Sequence, residues 1–519
     1  MFLGDPEDFS YFYSVFVRRK SNKSGVISIQ IILKQNGKQK LIKTIGSSSD
    51  PSEVERLFQA GNVFIQGYKG QQFLNFGEAS QNIKSAFESI SSHKEVGTDL
   101  LLGKIFDQIG FNKIKDHLFK KLVLARLTNP ASKLSTSDYL VRYKELEIPI
   151  QQIYRYMDKL HHSQKELVQE ISYRHTLSIF KNQIQIVFYD VTTLYFEIDR
   201  EDELRKTGFS KEGKHQNPQI VLGLLVSKDG YPLAYDIFEG NKFEGQTMLP
   251  ILDSFKDKYH LEKLVVIADS GLLSNSNIEA LQEKGYEFIL GARIKNEKQI
   301  IQKKILSLKL SNGQSSLLLK GELKLIITYS DDRAKKDKLN REKGLAKLEK
   351  QIRTGRLTKS NINNRGYNKY LKLEGNVLIQ IDHDKFNNDS KWDGLKGYLT
   401  NTNLSKDEII ANYQQLWQIE KAFRITKTDI KIRPIYHRLE RRIHAHICIA
   451  FVAYKIYKEL ERLLKAKKSN LSPEKAIEIA KSIYQIETNN ALDNQSVKHV
   501  LLLKEEQKEL ASMFEFQFG

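Results

Sequence analysis

The sequence predicts a multidomain α/β protein, and three observations support this. The 519 residues are too many for one core and, at about 150 residues per domain, correspond to roughly two to four domains. A chain that is 40% apolar and 28% charged, with only 9 prolines, is typical of globular proteins and unlike disordered or collagen-like chains. The hydrophobic periodicity also changes along the chain, from strand-like to helical, then to mixed, and finally back to helical.

The charge balance points to a polyanionic partner. With 82 Lys and Arg against 63 Asp and Glu, the formal net charge is +19. Such an excess favours nucleic acid first and an anionic membrane surface second. It excludes acidic-tail and halophilic proteins.

The sequence also indicates in which cellular compartment the protein is expected. The longest apolar stretch, Ile447 to Tyr454, is well short of the roughly 18 residues that a membrane-spanning helix needs. The first eight residues carry acids where a secretion signal carries a basic patch, so we expect a cytoplasmic protein. The single cysteine, Cys448, excludes an intramolecular disulfide and a thiolate zinc site.

We divide the sequence into five parts by composition and periodicity, and the joining of two segments into one α/β domain around an insertion follows from the resemblance given below. The parts are a basic β-module over 1–50, a helical region over 51–180, an α/β domain over 181–295 and 405–465, a β-rich insertion over 296–404, and a helical C-terminal region over 466–519.

The first part is strongly basic. Between Phe9 and Ser49 there are eight Lys or Arg residues and no acid, and turn signals at Ser21 to Gly25 and at Asn36-Gly37 predict a three-stranded antiparallel meander. This is a candidate DNA-binding module, because unbalanced cations suit contact with a phosphate backbone. A soluble β-module with a lysine-rich face is the alternative.

The second part is helical. Segments near 116–127, 135–145, 150–160 and 164–180 have helical periodicity, with breaks at Asn129-Pro130 and Ile148-Pro149. The helices on either side of Leu146 to Pro149 are compatible with a helix-turn-helix that reads DNA, and equally with an ordinary helical bundle.

The third part has a recognisable element order. A strand leading to Asp190 precedes strands at 219–226 and 231–238, and the chain then alternates a helix at 245–258, a strand at 264–268, a helix at 276–284 and a strand at 286–291. This β-β-β-α-β-α-β order is that of a ribonuclease H-like domain.

The rest of the chain is predicted to form the insertion over 296–404 and the helices that follow it. Strands at 315–329, 376–381 and 396–400 flank a helix over 333–356 that has ten basic and three acidic residues, which is either a solvated face or a nucleic-acid contact. Helices are then predicted at 407–428 and 438–464, followed by a shorter helix capped by Ser472 with Pro473 at its first turn.

Two aspartates are candidates for chemistry. Asp190 continues the alternation of Ile184, Ile186 and Phe188, so it lies on a face that is otherwise apolar, where a carboxylate is costly unless it is paired or metal-bound. Asp269 ends a run of purely apolar residues, at the strand edge where open sheets collect ligands. A turn or helix-capping role is the alternative for Asp269.

A third candidate lies in the predicted helix over 407–428. Residues seven apart on a helix share one stripe, so Tyr413, Glu420 and Lys427 align, with Arg424 beside them. A carboxylate is thereby bracketed by cations. A surface salt-bridge ladder has the same pattern.

Together these segments resemble a known family. Asp190-Val191-Thr192-Thr193, Ala268-Asp269-Ser270-Gly271 and the segment from Tyr413 to Lys427 resemble the three signature regions of DDE transposases of bacterial insertion sequences. The last region is similar to the branch with the Tyr-x2-Arg-x3-Glu-x6-Lys (YREK) signature. Its arginine position is Leu416 here, and Arg424 is the candidate substitute.

The resemblance implies a function and a set of site residues. It implies a DNA transposase whose triad Asp190, Asp269 and Glu420 holds two Mg²⁺ ions, with Mn²⁺ as a substitute, since hard oxygen ligands suit these ions. It further implies phosphate contacts from Tyr413 and Lys427, stacking of Trp392 on a flipped base, end binding by the helical region, and a homodimer on double-stranded DNA. A buried core position is the alternative for Trp392.

Two other functions share parts of this pattern. One is a catalytically idle, transposase-derived DNA-binding protein. The other is a metal-dependent nuclease without strand transfer, which would not need a dedicated end-binding module. All three carboxylates are present, which favours an active transposase.

Overall fold

The computed structural model describes residues 13–35, 37–67, 87–181, 184–198, 200–209, 216–358, 361–363, 366–374, 378–489 and 496–518. The chain forms two compact units, one of residues 1–91 with 488–496 and the other of residues 92–487 with 497–519. No helix among the described residues is both long and apolar enough to cross a membrane.

The first unit begins with the predicted meander. Strands β1 (Tyr13–Ser21), β2 (Ile27–Gln35) and β3 (Lys38–Ser48) form an antiparallel sheet in the order β1-β2-β3, and helix α1 (Pro51–Gly67) follows. Gly25 and Gly37 have positive φ angles in the two turns, which glycine adopts without steric cost. The predicted residues 9–12 and Asn36 lie outside the described residues.

Most cations of this sheet face solvent. Ile29, Ile31 and Ile32 of β2 are buried, whereas the lysines lie at exposed positions, namely Lys20, Lys23, Lys34, Lys38, Lys40 and Lys43. Arg19 pairs with Glu55 of α1 at 2.6 Å, so the helix supplies one of the acids that the strands lack.

The second unit is built on a large mixed sheet. The remaining strands are β4 (Ile90–Glu95), β5 (Ile186–Tyr195), β6 (Gln219–Ser227), β7 (Pro232–Glu239), β8 (Val265–Ala268), β9 (Glu287–Ala292), β10 (Ser315–Lys320), β11 (Leu323–Tyr329), β12 (Leu371–Glu374), β13 (Leu378–Ile381), β14 (Leu395–Thr400), β15 (Tyr484–Asn489) and β16 (Ser496–Leu501). Eight of them form one sheet in the order β10-β11-β14-β9-β8-β5-β6-β7.

Helices account for most of the rest. They are α2 (Lys104–Ile109), α3 (His117–Thr128), α4 (Lys133–Lys144), α5 (Ile150–Ser163), α6 (Lys165–Ile179), α7 (Met248–Tyr259), α8 (Asn275–Glu283), α9 (Gln299–Ser307), α10 (Asp331–Arg353), α11 (His383–Asp389), α12 (Lys406–Gln414), α13 (Trp417–Thr428), α14 (Glu440–Ala466), α15 (Pro473–Lys481) and α16 (Glu505–Met513). Ser472 caps α15 as predicted, accepting from Lys475 N at 3.2 Å.

The predicted order of the α/β domain is present. β5, β6 and β7 pair antiparallel, whereas β5, β8 and β9 pair in parallel, with α7 and α8 between the later strands. The element order is therefore β-β-β-α-β-α-β, as the sequence predicts.

The insertion differs from its prediction. β10, β11 and β14 pair antiparallel and continue the central sheet beyond β9, so these strands extend the α/β domain. The strand predicted over 315–329 is a hairpin with Gly321 in its turn at φ 62°. The basic helix begins at Asp331 and not at Arg333, so its first turn carries two acids, which favour a helix N-terminus.

Apolar side chains cover both faces of the sheet. On one face, Phe188 and Leu224 share a core with α3, α5, α13 and α14, and on the other, Val187 and Leu225 share a core with α7 and α8. Because side chains alternate along a strand, each strand contributes to both cores. Helix α14 runs through the first core and is buried along most of its length, including the free Cys448.

Two further predictions are wrong. The helix predicted over 407–428 is two helices, α12 and α13, that are separated at Gln415 and Leu416. The C-terminal region is not wholly helical, because β15 and β16 belong to a three-stranded sheet with β4.

Candidate active site

Asp190 and Asp269 come together where the parallel pairing of β5 with β8 ends, although β5 itself continues to Tyr195 and Asp190 therefore lies in the middle of that strand. β5 and β8 pair in parallel, with Ile186 to Tyr189 opposite Val265 to Ala268. Asp190 and Asp269 are the next residues after this paired segment, so the register places them side by side at the carboxyl end of β8. Both side chains are half-buried.

The backbone around Asp269 fixes its carboxylate. Asp269 precedes a short 3₁₀ turn, Ser270–Leu272, and its Oδ1 accepts from Gly271 N at 2.7 Å. Arg293 Nη2 donates to the Gly271 carbonyl at 3.2 Å from the end of β9. Asp269 therefore caps this turn and also presents a carboxylate at the candidate site.

Glu420 reaches the same side of the sheet from α13. Ile419, Ala422 and Phe423 of this helix share a core with Phe188, and α13 packs against β5. Asp190 lies two residues after Phe188 and therefore on the same face of β5. Glu420 itself is exposed in the first turn of α13.

Tyr413 lies beside Asp269, although it is not on the helix that carries Glu420. Its buried side chain lies in the last turn of α12, and a Cβ at Gly291 would overlap its hydroxyl and lie 3.0 Å from Ser270 N. Burial is the largest cause that raises the pKa of Tyr413, and the negative charges of Asp269 and Glu420 raise it further. The hydroxyl is thus a permanent hydrogen-bond donor near both carboxylates.

Lys396 is a site residue that the sequence analysis missed. Its ammonium lies 4.6 Å from the ring centre of Tyr413 and 5.4 Å from that of Tyr398. Burial and the charge of Arg333 lower the pKa of Lys396, whereas Glu420 opposes this shift. The alternation of Lys396 and Tyr398 on one face of β14 is the signal that could have indicated this cation-aromatic pair.

A fourth carboxylate lies near this edge. An added Cβ at Gly271 would be 2.8 Å from Asp269 Oδ1 and 3.4 Å from Glu244 Oε2. Glu244 precedes α7 in a short 3₁₀ turn, and its carbonyl accepts from the Thr247 hydroxyl at 2.6 Å. Sequence reasoning missed Glu244 because it stands in a loop without a strand-end pattern.

The cations predicted around Glu420 lie on α13. Arg424 is exposed one turn after Glu420, and Lys427 is half-buried one turn further on. Leu416, at the arginine position of the signature, is buried where α12 and α13 are separated. Tyr413 therefore approaches Glu420 across a break between two helices and not along one continuous stripe.

Trp392 is buried in the core on the opposite face of the sheet from Glu420. It ends a short 3₁₀ turn, Ser390–Trp392, and packs in the apolar cluster that contains Leu325 and Leu399. It also lines a cavity of about 700 Å³ together with Arg333 and Lys396. The structure thus gives Trp392 a core position, and base stacking stays a prediction.

The carboxylates fit divalent cations by the type of their donor atoms. Among the residues that the structure describes, no three carboxylate, histidine or cysteine side chains stand close enough together to hold one ion. Asp190 and Asp269 nevertheless occupy neighbouring positions where the pairing of β5 with β8 ends, and hard oxygen donors are the ligands that Mg²⁺ prefers.

Residues 181–456 match the family model described as "Transposase DDE domain". The chain belongs to the transposase DDE domain family. The matched span of this transposase domain includes Asp190, Asp269, Tyr413, Glu420 and Lys427. No curated protein matches the chain.

Solved transposase structures are similar to this transposase at low identity. A cryo-EM structure of the piggyBac transposase synaptic complex with hairpin DNA is 8% identical, with a TM-score of 0.39 and coverage of 74% of this chain and 78% of that chain. The Mos1 transposase paired-end complex with left transposon end is 11% identical, with a TM-score of 0.15 and coverage of 33% and 56%. The Mos1 strand transfer complex is 12% identical, with the same TM-score and coverage.

Proposed function

We propose that the chain is an active DNA transposase of a bacterial insertion sequence, in the YREK branch. It cleaves DNA at the ends of the element and joins the freed 3′-hydroxyls to target DNA. The observation that supports this proposal is that Asp190 of β5 and Asp269, directly after β8, are neighbours across the parallel pair, with the helix of Glu420 packed over the same face.

The proposed chemistry needs no covalent protein intermediate. A water oxygen bonds to the scissile phosphorus while the bond from phosphorus to the 3′-oxygen breaks, which leaves a 3′-hydroxyl at the element end. That hydroxyl then bonds to a target phosphorus, and the target's own 3′-oxygen leaves. In each step an attacking oxygen replaces a 3′-oxygen on phosphorus, the attacking oxygen loses a proton and the leaving 3′-oxygen gains one, so one site serves both steps.

Asp190, Asp269 and Glu420 are the residues that would hold the ions. Bound divalent ions, magnesium with manganese as a substitute, supply activation of the attacking oxygen and stabilisation of the leaving one. The turn after Asp269 contributes by fixing that carboxylate through Gly271 N. Packing of α13 on β5 orients Glu420.

Tyr413, Lys427 and Lys396 hold DNA in this proposal. The Tyr413 hydroxyl stays protonated, because burial and two nearby carboxylates raise its pKa, and it can donate to a phosphate oxygen. Lys396 and Lys427 act as compact point charges. Arg424 and Trp392 remain candidates for further contacts with DNA.

The partners follow from the same proposal. Double-stranded DNA, as element ends and as target, is the substrate, and two copies of the chain pair two ends as a homodimer. The exposed lysines of the β1–β3 sheet support a non-specific contribution to DNA binding. A cytoplasmic, nucleoid-associated location is part of the proposal.

Nicking of supercoiled plasmid tests the proposal. Wild type, Asp190→Asn and Glu420→Gln are compared in magnesium, manganese and EDTA at one low salt concentration, with cognate ends present. We expect nicking in either metal, none in EDTA, and loss in both variants with DNA binding retained. Glu279→Gln, an exposed glutamate on α8, is the matched control and should nick at the wild-type rate.

A DNA strand-joining assay distinguishes a transposase from the two alternative functions. Pre-cut ends with free 3′-hydroxyls are incubated with a target plasmid, and covalent joining is scored. Nicking without joining would favour a nuclease. DNA binding without nicking at cognate ends would favour an idle DNA-binding protein.

A further inference from the structure

A second group of cations lies in the helical part of the larger unit, outside the carboxylate site. Arg126 near the end of α3 and Lys133 at the start of α4 line a cavity of about 410 Å³. The opposite wall comes from the loop after α13, including His437, and from His446 of α14. The cavity is therefore built from segments that are distant in sequence.

Among the residues that the structure describes, the two cations are buried without a partner. Arg126 and Lys133 are each 4% exposed. Within the described part of the chain, no carboxylate or other acceptor forms a hydrogen bond or ion pair with the Arg126 guanidinium or with Lys133 Nζ. Buried charges are normally paired or bound to a ligand, because desolvation of an isolated charge is costly.

Burial and neighbouring cations shift the pKa values of the groups around this cavity. Burial lowers the pKa of Arg126 to about 10, and burial together with Arg126 lowers that of Lys133. Burial and these two cations lower the pKa of His437 to about 3 and also lower that of His446. The acid that counteracts this effect at His437 is Asp158, whose carboxylate accepts from both Arg441 and Arg442.

The start of α4 adds to this field. Ser132 caps the helix by accepting from Ser135 N at 3.2 Å, and Lys133 is the first helical residue. Helix N-termini carry a partial positive charge that favours anions. The capped start of α4 and the two cations without described partners therefore line the same cavity.

The rim of the cavity differs from its floor. Tyr436 is 70% exposed and Leu134 is 58% exposed, and both line the opening. Exposed apolar and aromatic groups beside a cationic floor suit a phosphate that is attached to a sugar better than a bare inorganic ion.

We propose that this cavity binds a phosphodiester of the DNA backbone, with Lys133 and Arg126 as its ligands. The proposal rests on the proposed function, since DNA is the phosphate source. It assigns the helical region a specific anchoring point on DNA that is separate from the carboxylate site.

Two measurements on proteins carrying Glu420→Gln test this proposal, so that cleavage cannot interfere. The first is the thermal midpoint in sodium phosphate against sodium chloride at equal ionic strength. The second is the salt dependence of binding to a fluorescent duplex. Lys133→Met is compared with Lys115→Met, an exposed lysine before α3 that serves as the matched control.

We expect phosphate to raise the midpoint of the parent protein and of the Lys115→Met variant, but not that of Lys133→Met. Without phosphate, Lys133→Met should melt higher than the parent, because a buried unpaired charge is gone. Its DNA affinity should fall about tenfold, and the slope of log affinity against log salt should decrease in magnitude by about 0.9, the value for one lost phosphate contact.

Several results would overturn the proposal. A phosphate effect with unchanged DNA affinity and slope would indicate a small-anion site instead of a DNA contact. Absence of a phosphate effect on the parent protein would exclude an anion site, even if Lys133→Met failed to fold. Failure of the parent to bind any duplex would refute the proposed function itself, whereas a defect confined to Lys133→Met supports the cavity.

Discussion

The hydroxyl of Tyr413 occupies the space that a side chain at Gly291 would need. Gly291 lies on β9, which pairs with β8, the strand that Asp269 follows, and an added Cβ there would also approach Ser270 N at 3.0 Å. Glycine at this position therefore allows a tyrosine from α12 to reach the carboxylate edge. The contact links the conformation of β9 to the position of the Tyr413 hydroxyl, which is proposed to donate a hydrogen bond to a DNA phosphate.

Gly291→Ala should displace Tyr413 and slow nicking, because a methyl group overlaps its hydroxyl. Overpacking of this kind costs about 1–3 kcal/mol of folding free energy. Plasmid nicking and thermal unfolding measure both effects. Gly103→Ala is the control, since its nearest neighbour at 3.3 Å is the flexible end of Lys120. Equal nicking by the two variants would contradict the placement of Tyr413.

Tyr413→Phe should keep the ring contacts with Lys396 and Tyr398 but lose the donor. A hydrogen bond to a charged group contributes about 1.5–3 kcal/mol, so nicking should fall roughly tenfold to a hundredfold with a similar thermal midpoint. Because the pKa of Tyr413 is raised, the shape of the pH profile above neutrality should not change. Tyr398→Phe is the matched control, and a comparable defect in it would point to ring packing instead.

Glu461→Gln should destabilise the attachment of α13 in a pH-dependent way. Glu461 of α14 accepts from Lys421, which follows Glu420, and from Lys458. Burial alone would raise the pKa of Glu461, but these two ammonium groups lower it to about 2.

The sign of the pH dependence follows from that lowered pKa. A carboxyl whose folded pKa lies below its unfolded value of about 4.3 stabilises the protein above that value, and the contribution is lost as the pH falls through about 2. We expect a loss of about 1–2 kcal/mol near neutrality that shrinks below pH 4, measured by denaturant unfolding. Glu478→Gln, on an exposed face of α15, should show no such trend.

Neutralising the β1–β3 sheet should weaken DNA binding without affecting folding. Lys20, Lys38 and Lys40 are exposed, and their combined change to Gln should lower the salt slope by about 0.9 for each phosphate contact that is lost. Fluorescence anisotropy at several salt concentrations measures this slope. An unchanged slope would favour the alternative of a soluble β-module with a lysine-rich face.

Much of the α/β domain was predictable because its signals are local. The apolar run before Asp269 and the turn at Lys228 to Gly230 mark strand ends, and these fix the element order. The same local signals identified Asp190 and Asp269 as candidates, and the parallel register of their strands places them together.

Other features depend on pairings that the sequence does not reveal locally. The helical periodicity continues across Gln415 and Leu416, so the separation of α12 from α13 was not predicted. The addition of β10, β11 and β14 to the central sheet is a long-range pairing. Arg126 and Lys133 are ordinary helix residues by pattern, and only tertiary packing buries them.

A change of metal preference in an Asp269 variant is the most direct test of whether Asp269 holds a catalytic metal ion. Asp269→Cys replaces a hard oxygen ligand with a softer thiolate, which binds magnesium poorly and accepts manganese more readily. We expect this variant to bind DNA, to fail to nick plasmid in magnesium and to regain nicking in manganese. Nicking in magnesium at the wild-type rate would contradict this expectation, because Asp269 could not then hold the catalytic ion.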